Sequence, residues 1–226
     1  MKKTGLQWLA PVLLGSMVLS TSAAADSFFE VTVTNITKGV VFTPVMVAST
    51  RKDTTFFQLG APASMELETI AETGNPGPLQ DSLDAFDITN SSFLPTLGPG
   101  ESVTQLVATE GKYDHVSVAA MLIPTNDVFF AVNSIKGPKG GKSKKSKKGD
   151  TVTVRVAAYD AGTELNDELC ASLPGPGCGM DPGPVSAGEG YVHPSSGIRG
   201  VGDLDADALD WNNPVALIQI RRVEDP

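Results

Sequence analysis

Two cysteines, two histidines and two tryptophans stand among 226 residues, and aromatic side chains make up only 6% of the chain. Each shortage removes a class of chemistry. With His115 and His193 the only imidazoles and Cys170 and Cys178 the only thiols, most general-base and thiol nucleophile schemes lack their side chains. Ser195 and Ser196 lie near His193, but sequence neighbours in a Pro/Gly-rich loop are not a triad, and no Gly-x-Ser-x-Gly elbow follows the first 25 residues. His115 opens a strand pattern and is expected as a satisfied sheet-edge residue. Paired carboxylates can hydrolyse glycosides, but such enzymes need a cleft with aromatic walls, and Trp211 is the only tryptophan beyond Trp8. No enzyme is expected.

Long apolar runs are also missing after the N-terminus. Met1-Lys2-Lys3, an apolar stretch from Trp8 to Leu19 and the small residues Ser22 to Ala25 have the order of a secretory signal, with cleavage expected after Ala25. The stretch is short for a membrane span of about 20 residues, and nothing later replaces it. No cysteine follows the cleavage site, so a lipid anchor there has no thiol to attach to. A soluble periplasmic or secreted chain, residues 26–226, is expected, as one domain and a monomer. Positive charge is in deficit: the net charge is −9, and losing Lys2 and Lys3 with the signal makes it −11, which should repel nucleic acid overall.

In an oxidising compartment, Cys170 and Cys178 are expected to form a disulfide across Ala-Ser-Leu-Pro-Gly-Pro-Gly, closing a small loop worth about 2 to 3 kcal/mol. The alternative, a two-cysteine metal site, lacks nearby histidines.

Phe29, Val31 and Val33 alternate with Glu30, Thr32 and Thr34, the period-two pattern of a half-buried strand. Val40–Ser49, Ser102–Thr109, His115–Ile123, Asp127–Ile135, Thr151–Tyr159 and Pro214–Val223 are similar stretches separated by Gly, Pro, Asn or Asp. They predict a mainly β fold, an antiparallel β-sandwich. Ala61–Glu72, with Pro62 early and Gly74 and Pro76 after it, predicts a short helix, and Leu79–Ala85 can add a turn or two. Gly and Pro are so frequent from Leu173 to Gly202 that a long irregular excursion across the surface is expected.

A lysine-rich loop at about residues 136–149 carries Lys136, Lys139, Lys142, Lys144, Lys145, Lys147 and Lys148 with no apolar anchor. It reads either as a solvated insertion or, through Lys139 and the five lysines after it, as an arm for polyanions. The strands flanking it are expected to pair as an antiparallel hairpin. Asp127 then begins one strand and Asp160 ends the other, which puts the two carboxylates side by side at the end away from the lysines. Gly162, Glu164, Asn166, Asp167 and Glu168 follow within one turn of this acidic pole. A hard cation such as calcium takes six to eight oxygens from such a set, yet short acidic residues also cap turns by binding backbone N–H groups, and both readings stand. A second acidic stretch, Asp203-Leu-Asp205-Ala-Asp207-Ala-Leu-Asp210, opens like a helix–loop–helix calcium loop. It then has Ala208 in place of the glycine and Pro214 in place of the closing glutamate, so a solvated acidic turn is expected.

Val118–Ser134 with its Pro124-Thr-Asn-Asp127 core, Tyr159-Asp160-Ala-Gly162-Thr163-Glu164, Phe57–Ser64, Gly200–Asp205 and Asp210–Val215 resemble the spondin N-terminal domain family, including its bacterial members. The resemblance implies an antiparallel β-sandwich with an ion, calcium, held by loops at one end, in a family associated with extracellular matrix and adhesion. Its ligands, carried over by position, are Asp127, Asp160 and Glu164; the last departs from the aspartate of the animal motif. The expected role is an exported, calcium-binding, adhesion-like or ligand-binding module with a protein or glycan partner. The alternatives are a structural envelope protein with a purely stabilising metal, and polyanion binding through the lysine loop.

Overall fold

A computed structural model of the chain describes residues 27–84, 91–139, 150–179 and 183–224. The signal expected over residues 1–25 lies outside the described residues, as do Lys142, Lys144, Lys145, Lys147 and Lys148.

β1 (Ser27–Asn35) has the alternation read from its sequence: Phe29, Val31 and Val33 are fully buried and the residues between them are half-exposed. The stretch read as one strand from Val40 divides into β2 (Val41–Phe42) and β3 (Met46–Thr50), because Pro44 between them has no N–H to give a ladder. The predicted helix is α1 (Met65–Thr73), which starts four residues later than the expected Ala61 and ends one residue later than Glu72. Ser64 caps it, its Oγ accepting from Leu67 N at 3.3 Å, and Gly74 ends it at φ 67°. The residues before the cap are used elsewhere: Gly60 N donates to Val192 O and Val192 N to Ala61 O, both at 2.8 Å. α2 (Gly77–Asp84) follows, then β4 (Ser91–Phe93), β5 (Ser102–Ala108), β6 (His115–Ile123), β7 (Val128–Lys136), β8 (Thr151–Val156), β9 (Ala158–Asp160), β10 (His193–Pro194), the single-turn α3 (Ala206–Leu209) and β11 (Ala216–Glu224).

The strands form two antiparallel sheets, one of four strands in the order β5-β1-β11-β8 and one of seven in the order β10-β9-β7-β6-β3-β4, with β2 also on β6. Between them lies the main core, in which Val31, Val33, Ile218 and Ile220 face Val118, Ala120, Leu122 and Phe130. On the far side of the larger sheet, Leu67 and Ile70 of α1 pack over Met46, Ala48, Ala119, Phe129 and Ala131. Strand β6 is therefore covered on both faces and buried at every residue, in keeping with its apolar run from Val118 to Ile123. It is an inner strand, so His115 is not at a sheet edge; its Nδ1 lies 2.6 Å from Asp114 Oδ1.

The expected hairpin across the lysine segment does not form as one unit. Residues Thr151–Val156 pair with β11 in the four-stranded sheet, Val156 opposite Ala216, while Ala158–Asp160 cross to the other sheet and pair with β7. The crossing is held at Ala157 by its neighbours: Val215 N donates to Val156 O at 2.8 Å, and Ala158 N donates to Asn213 Oδ1 at 2.8 Å. Three residues of the hairpin survive, with Val128 opposite Asp160, and they are the ones at the acidic end. At the other end Lys136 Nζ lies 3.1 Å from Asp114 Oδ2. Cys170 and Cys178 are joined as a disulfide. Among the described residues no helix is long and apolar enough to cross a membrane.

Candidate metal centre

Pairing of β9 with β7 places Asp127, just before Val128, beside Asp160, and both side chains are buried, Asp127 completely. The turn that follows wraps onto them. Asp127 Oδ2 accepts from Thr163 N at 2.8 Å, Thr163 Oγ1 at 3.2 Å and Glu164 N at 3.0 Å, whereas Asp127 Oδ1 is buried with no hydrogen-bond partner among the described residues. Asp160 Oδ1 accepts from Gly162 N at 2.8 Å, and its Oδ2 accepts from Asn166 Nδ2 at 2.7 Å. Each carboxylate thus caps the turn, as one of the two sequence readings held, and Asp127 keeps one oxygen unused.

The electrostatics of the pole are unfavourable without a cation. Burial pushes the Asp127 carboxyl up to about 6, and the charge of Asp160 adds to this against the three hydrogen bonds from Thr163 and Glu164. Asp160 is raised by burial too, opposed by the bonds from Asn166 and Gly162. Glu164, half-buried, is pushed up to about 8, first by burial and then by the charges of Glu72, Asp127, Asp167 and Glu68. Glu68 and Glu72 come from α1, so one helix adds two acids to the pole that linear spacing did not reveal. Burial raises Glu72 as well, offset by a hydrogen bond from Thr163.

The Gly/Pro-rich excursion is not merely a surface loop. Residues 186–194 run antiparallel along 158–165 as a strap: Leu165 N donates to Ser186 O at 2.8 Å, Gly188 N to Thr163 O at 3.2 Å and Gly190 N to Gly162 O at 2.7 Å, and His193 stands opposite Asp160. Gly162 allows this approach, since it sits at φ 69° and a Cβ there would strike the backbone of Tyr191. The strap delivers two residues that sequence reasoning did not assign to the pole, Glu189 and His193. His193 Nε2 lies 3.5 Å from Asp160 Oδ1 and 3.4 Å from Glu189 Oε2. Asp160, Glu189 and His193 each bring one ligand atom within 4.8 Å of the others, a group that can hold a metal ion. Their only sequence signal was an acid and an imidazole four residues apart, in a segment without periodicity that could place them.

Other acids of the region are committed to structure. Asp167 accepts from Asn126 Nδ2, Leu169 N and Ser172 Oγ. Glu168, buried, accepts from Arg199 N at 2.7 Å and Val201 N at 2.9 Å. In the second acidic stretch Asp203 accepts from Cys170 N, Asp205 caps α3 through Asp207 N, and Asp210 accepts from Ile198 N. Asp203, Asp205 and Asp207 are exposed, so the stretch is a solvated acidic turn as expected, and Asp203, Asp205 and Asp210 cap its backbone.

Comparison with curated proteins gives no match. Residues 28–167, which run from β1 through the acidic turn, match the family model described as Spondin_N. That span is more than half of the chain, and it contains Asp127 and Asp160 in the paired arrangement just described, with Glu164 in the turn that follows; the Glu164 carboxylate does not converge with theirs in the way that the ligand atoms of Asp160, Glu189 and His193 converge. The chain belongs to the spondin N-terminal domain family.

Proposed function

We propose that this protein is an exported, non-catalytic recognition module of adhesion-like character, working in the cell envelope or the extracellular space, with a calcium ion held by Asp127, Asp160 and Glu164. Membership of the spondin N-terminal family supports the extracellular setting. The observation that carries the metal is Asp127 Oδ1: a carboxylate oxygen, completely buried, with no donor and with the charge of Asp160 beside it. A buried orphan acceptor of this kind costs about 1 to 3 kcal/mol or more, and a cation removes the cost.

The donor set is oxygen on carboxylates, which selects a hard cation, and calcium tolerates the uneven geometry of loops. When bound, the ion supplies the positive charge that three buried or half-buried acids lack. Asp127 and Asp160 fix the turn from the two paired strands, and Glu164 would swing its side chain in from the turn to complete the set. Beside them the same loops carry the exposed apolar side chains Leu165, Leu169, Tyr191 and Val201. Apolar contacts around a charged centre suit a protein or glycan partner, with an acidic group of that partner completing the coordination.

Thermal unfolding tests the reading. Calcium at 100 times its dissociation constant should add about 2.7 kcal/mol over the EDTA-treated protein, a rise of roughly 5 to 10 °C for a chain of this size. Asp160→Ala should remove the rise. A wild-type protein whose unfolding ignores calcium would sink the proposal.

A further inference from the structure

His193 is held in a way that calcium does not use. Its Nδ1 lies 3.0 Å from Pro194 O. A carbonyl can only accept, so Nδ1 carries a proton; burial opposes charging the ring, but the Pro194 carbonyl and the Asp160 and Glu189 carboxylates outweigh it and raise the imidazole's pKa, so a metal at Nε2 would take the place of a proton there. Among the described residues that nitrogen is buried without a hydrogen-bond partner, and it faces two carboxylates, from Asp160 and Glu189, which offer lone pairs of their own. With Nε2 deprotonated, three acceptors converge on one point, which suits a metal cation among them.

The separations indicate what kind. An N–H···O bond is about 2.7 to 3.2 Å long, and both Nε2 distances, 3.5 and 3.4 Å, exceed it. Two ligands at about 2.0 to 2.1 Å from a tetrahedral ion stand roughly 3.3 to 3.4 Å apart, which matches. The backbone-anchored Nδ1 is also the usual support of a metal-binding imidazole, fixing its tautomer and ring plane. Imidazole selects borderline transition ions such as zinc over calcium, whose ligands are oxygens. Two carboxylates leave the group at −2, which a divalent ion neutralises.

We propose that Asp160, Glu189 and His193 form a second metal site, for a zinc-class divalent ion, beside the calcium position and sharing with it only the Asp160 carboxylate. Asp160 is anchored in the sheet, whereas Glu189 is 42% exposed and can swing to complete the set. Three protein ligands leave a fourth position open to water or to an acidic group of a partner. The ion would tie the strap to β9 and so join the C-terminal excursion to the acidic turn.

The test is a zinc titration of the untagged, intact protein against a competing chromophoric chelator, with calcium saturating throughout. One equivalent should bind. His193→Ala and Glu189→Gln should each weaken binding by roughly tenfold or more, since losing a ligand costs at least what losing its support does. Cobalt in place of zinc should give the strong visible absorption of a four-coordinate site, lost in His193→Ala. Asp127→Asn, which removes a calcium ligand outside the group and frees Asp160 from the competing ion, should bind zinc at least as tightly as the wild type, so failure of the calcium reading and failure of this one are told apart. Glu189 is exposed enough that its substitution leaves the fold intact. Zinc that fails to compete with the chelator, or that binds both variants as tightly as the wild type, overturns the proposal.

Discussion

At the scale of single residues, Asp127 sets the character of the pole. Its carboxyl is raised from an ordinary 3.8 to about 6 and that of Glu164 from 4.5 to about 8, so in the metal-free protein the fold favours the protonated forms. Such groups stabilise the fold fully below their unfolded values, near 4, and the contribution is lost as pH rises through about 6 and about 8. Metal-free protein should therefore melt at a falling temperature as pH goes from 4 to 8.5, and saturating calcium should remove most of that fall; unfolding scans in EDTA and in calcium across this range would show it. Asp127→Asn isolates the cause. The amide keeps an oxygen for the N–H groups of Thr163 and Glu164 and offers an N–H where Oδ1 now has no partner. The variant should be more stable than the wild type in EDTA at pH 8 and indifferent to calcium. A variant less stable in EDTA would mean that the charge is already compensated.

At the scale of elements, the strap and the turn it covers depend on one backbone conformation. Gly162→Ala would put a methyl against the Tyr191 backbone and force an alanine to φ 69°, a cost of about 1 to 2 kcal/mol before the collision is counted. The strap should lift, which hydrogen exchange would read as faster exchange at the Gly190 and Val192 amides, bonded to Gly162 O and Ala61 O. Amides of β6 should be unaffected. The strap also marks where the sequence stops being legible. Strand β1 is written in its alternation, most of β6 in the apolar run from Val118 to Ile123, and the disulfide in two cysteines eight residues apart in a turn-forming stretch. Adjacency of Asp127 and Asp160 could be read because hairpin logic holds locally for β7 and β9. The crossover at Ala157 could not, since its cause is Asn213, more than fifty residues away. Neither could Glu72, Glu189 or His193, because a helix face and an aperiodic strap reach the pole only through tertiary packing. Asp167 and Glu168 looked like ligands for the converse reason: their sequence position was right, but distant N–H groups, such as those of Arg199 and Val201, had already claimed Glu168.

At the scale of the whole molecule, the family-matched segment does not make a complete unit in this chain. It ends at residue 167, before the strap and before β11. Yet β11 is an inner strand of the four-stranded sheet, paired along its length with β1 and also with β8. Without it and the residue before it those two strands lose their shared partner, and the main core loses Val215, Ile218 and Ile220, all fully buried. Three such side chains are worth about 1.5 to 3 kcal/mol each, which together rivals the 5 to 15 kcal/mol by which a typical domain is stable. Residues 26–167 alone should therefore be aggregated or unfolded, showing no cooperative melting in circular dichroism, while residues 26–224 melt cooperatively. Adding a peptide of residues 212–224 in trans should restore little, because the strap and α3, which adds Leu209 and Ala206 to the core's rim, are still missing. Should the 26–167 fragment fold and bind calcium, the acidic turn would be self-sufficient, and the role assigned here to the C-terminal third, completing both the sheet and the metal centre, would have to be given up.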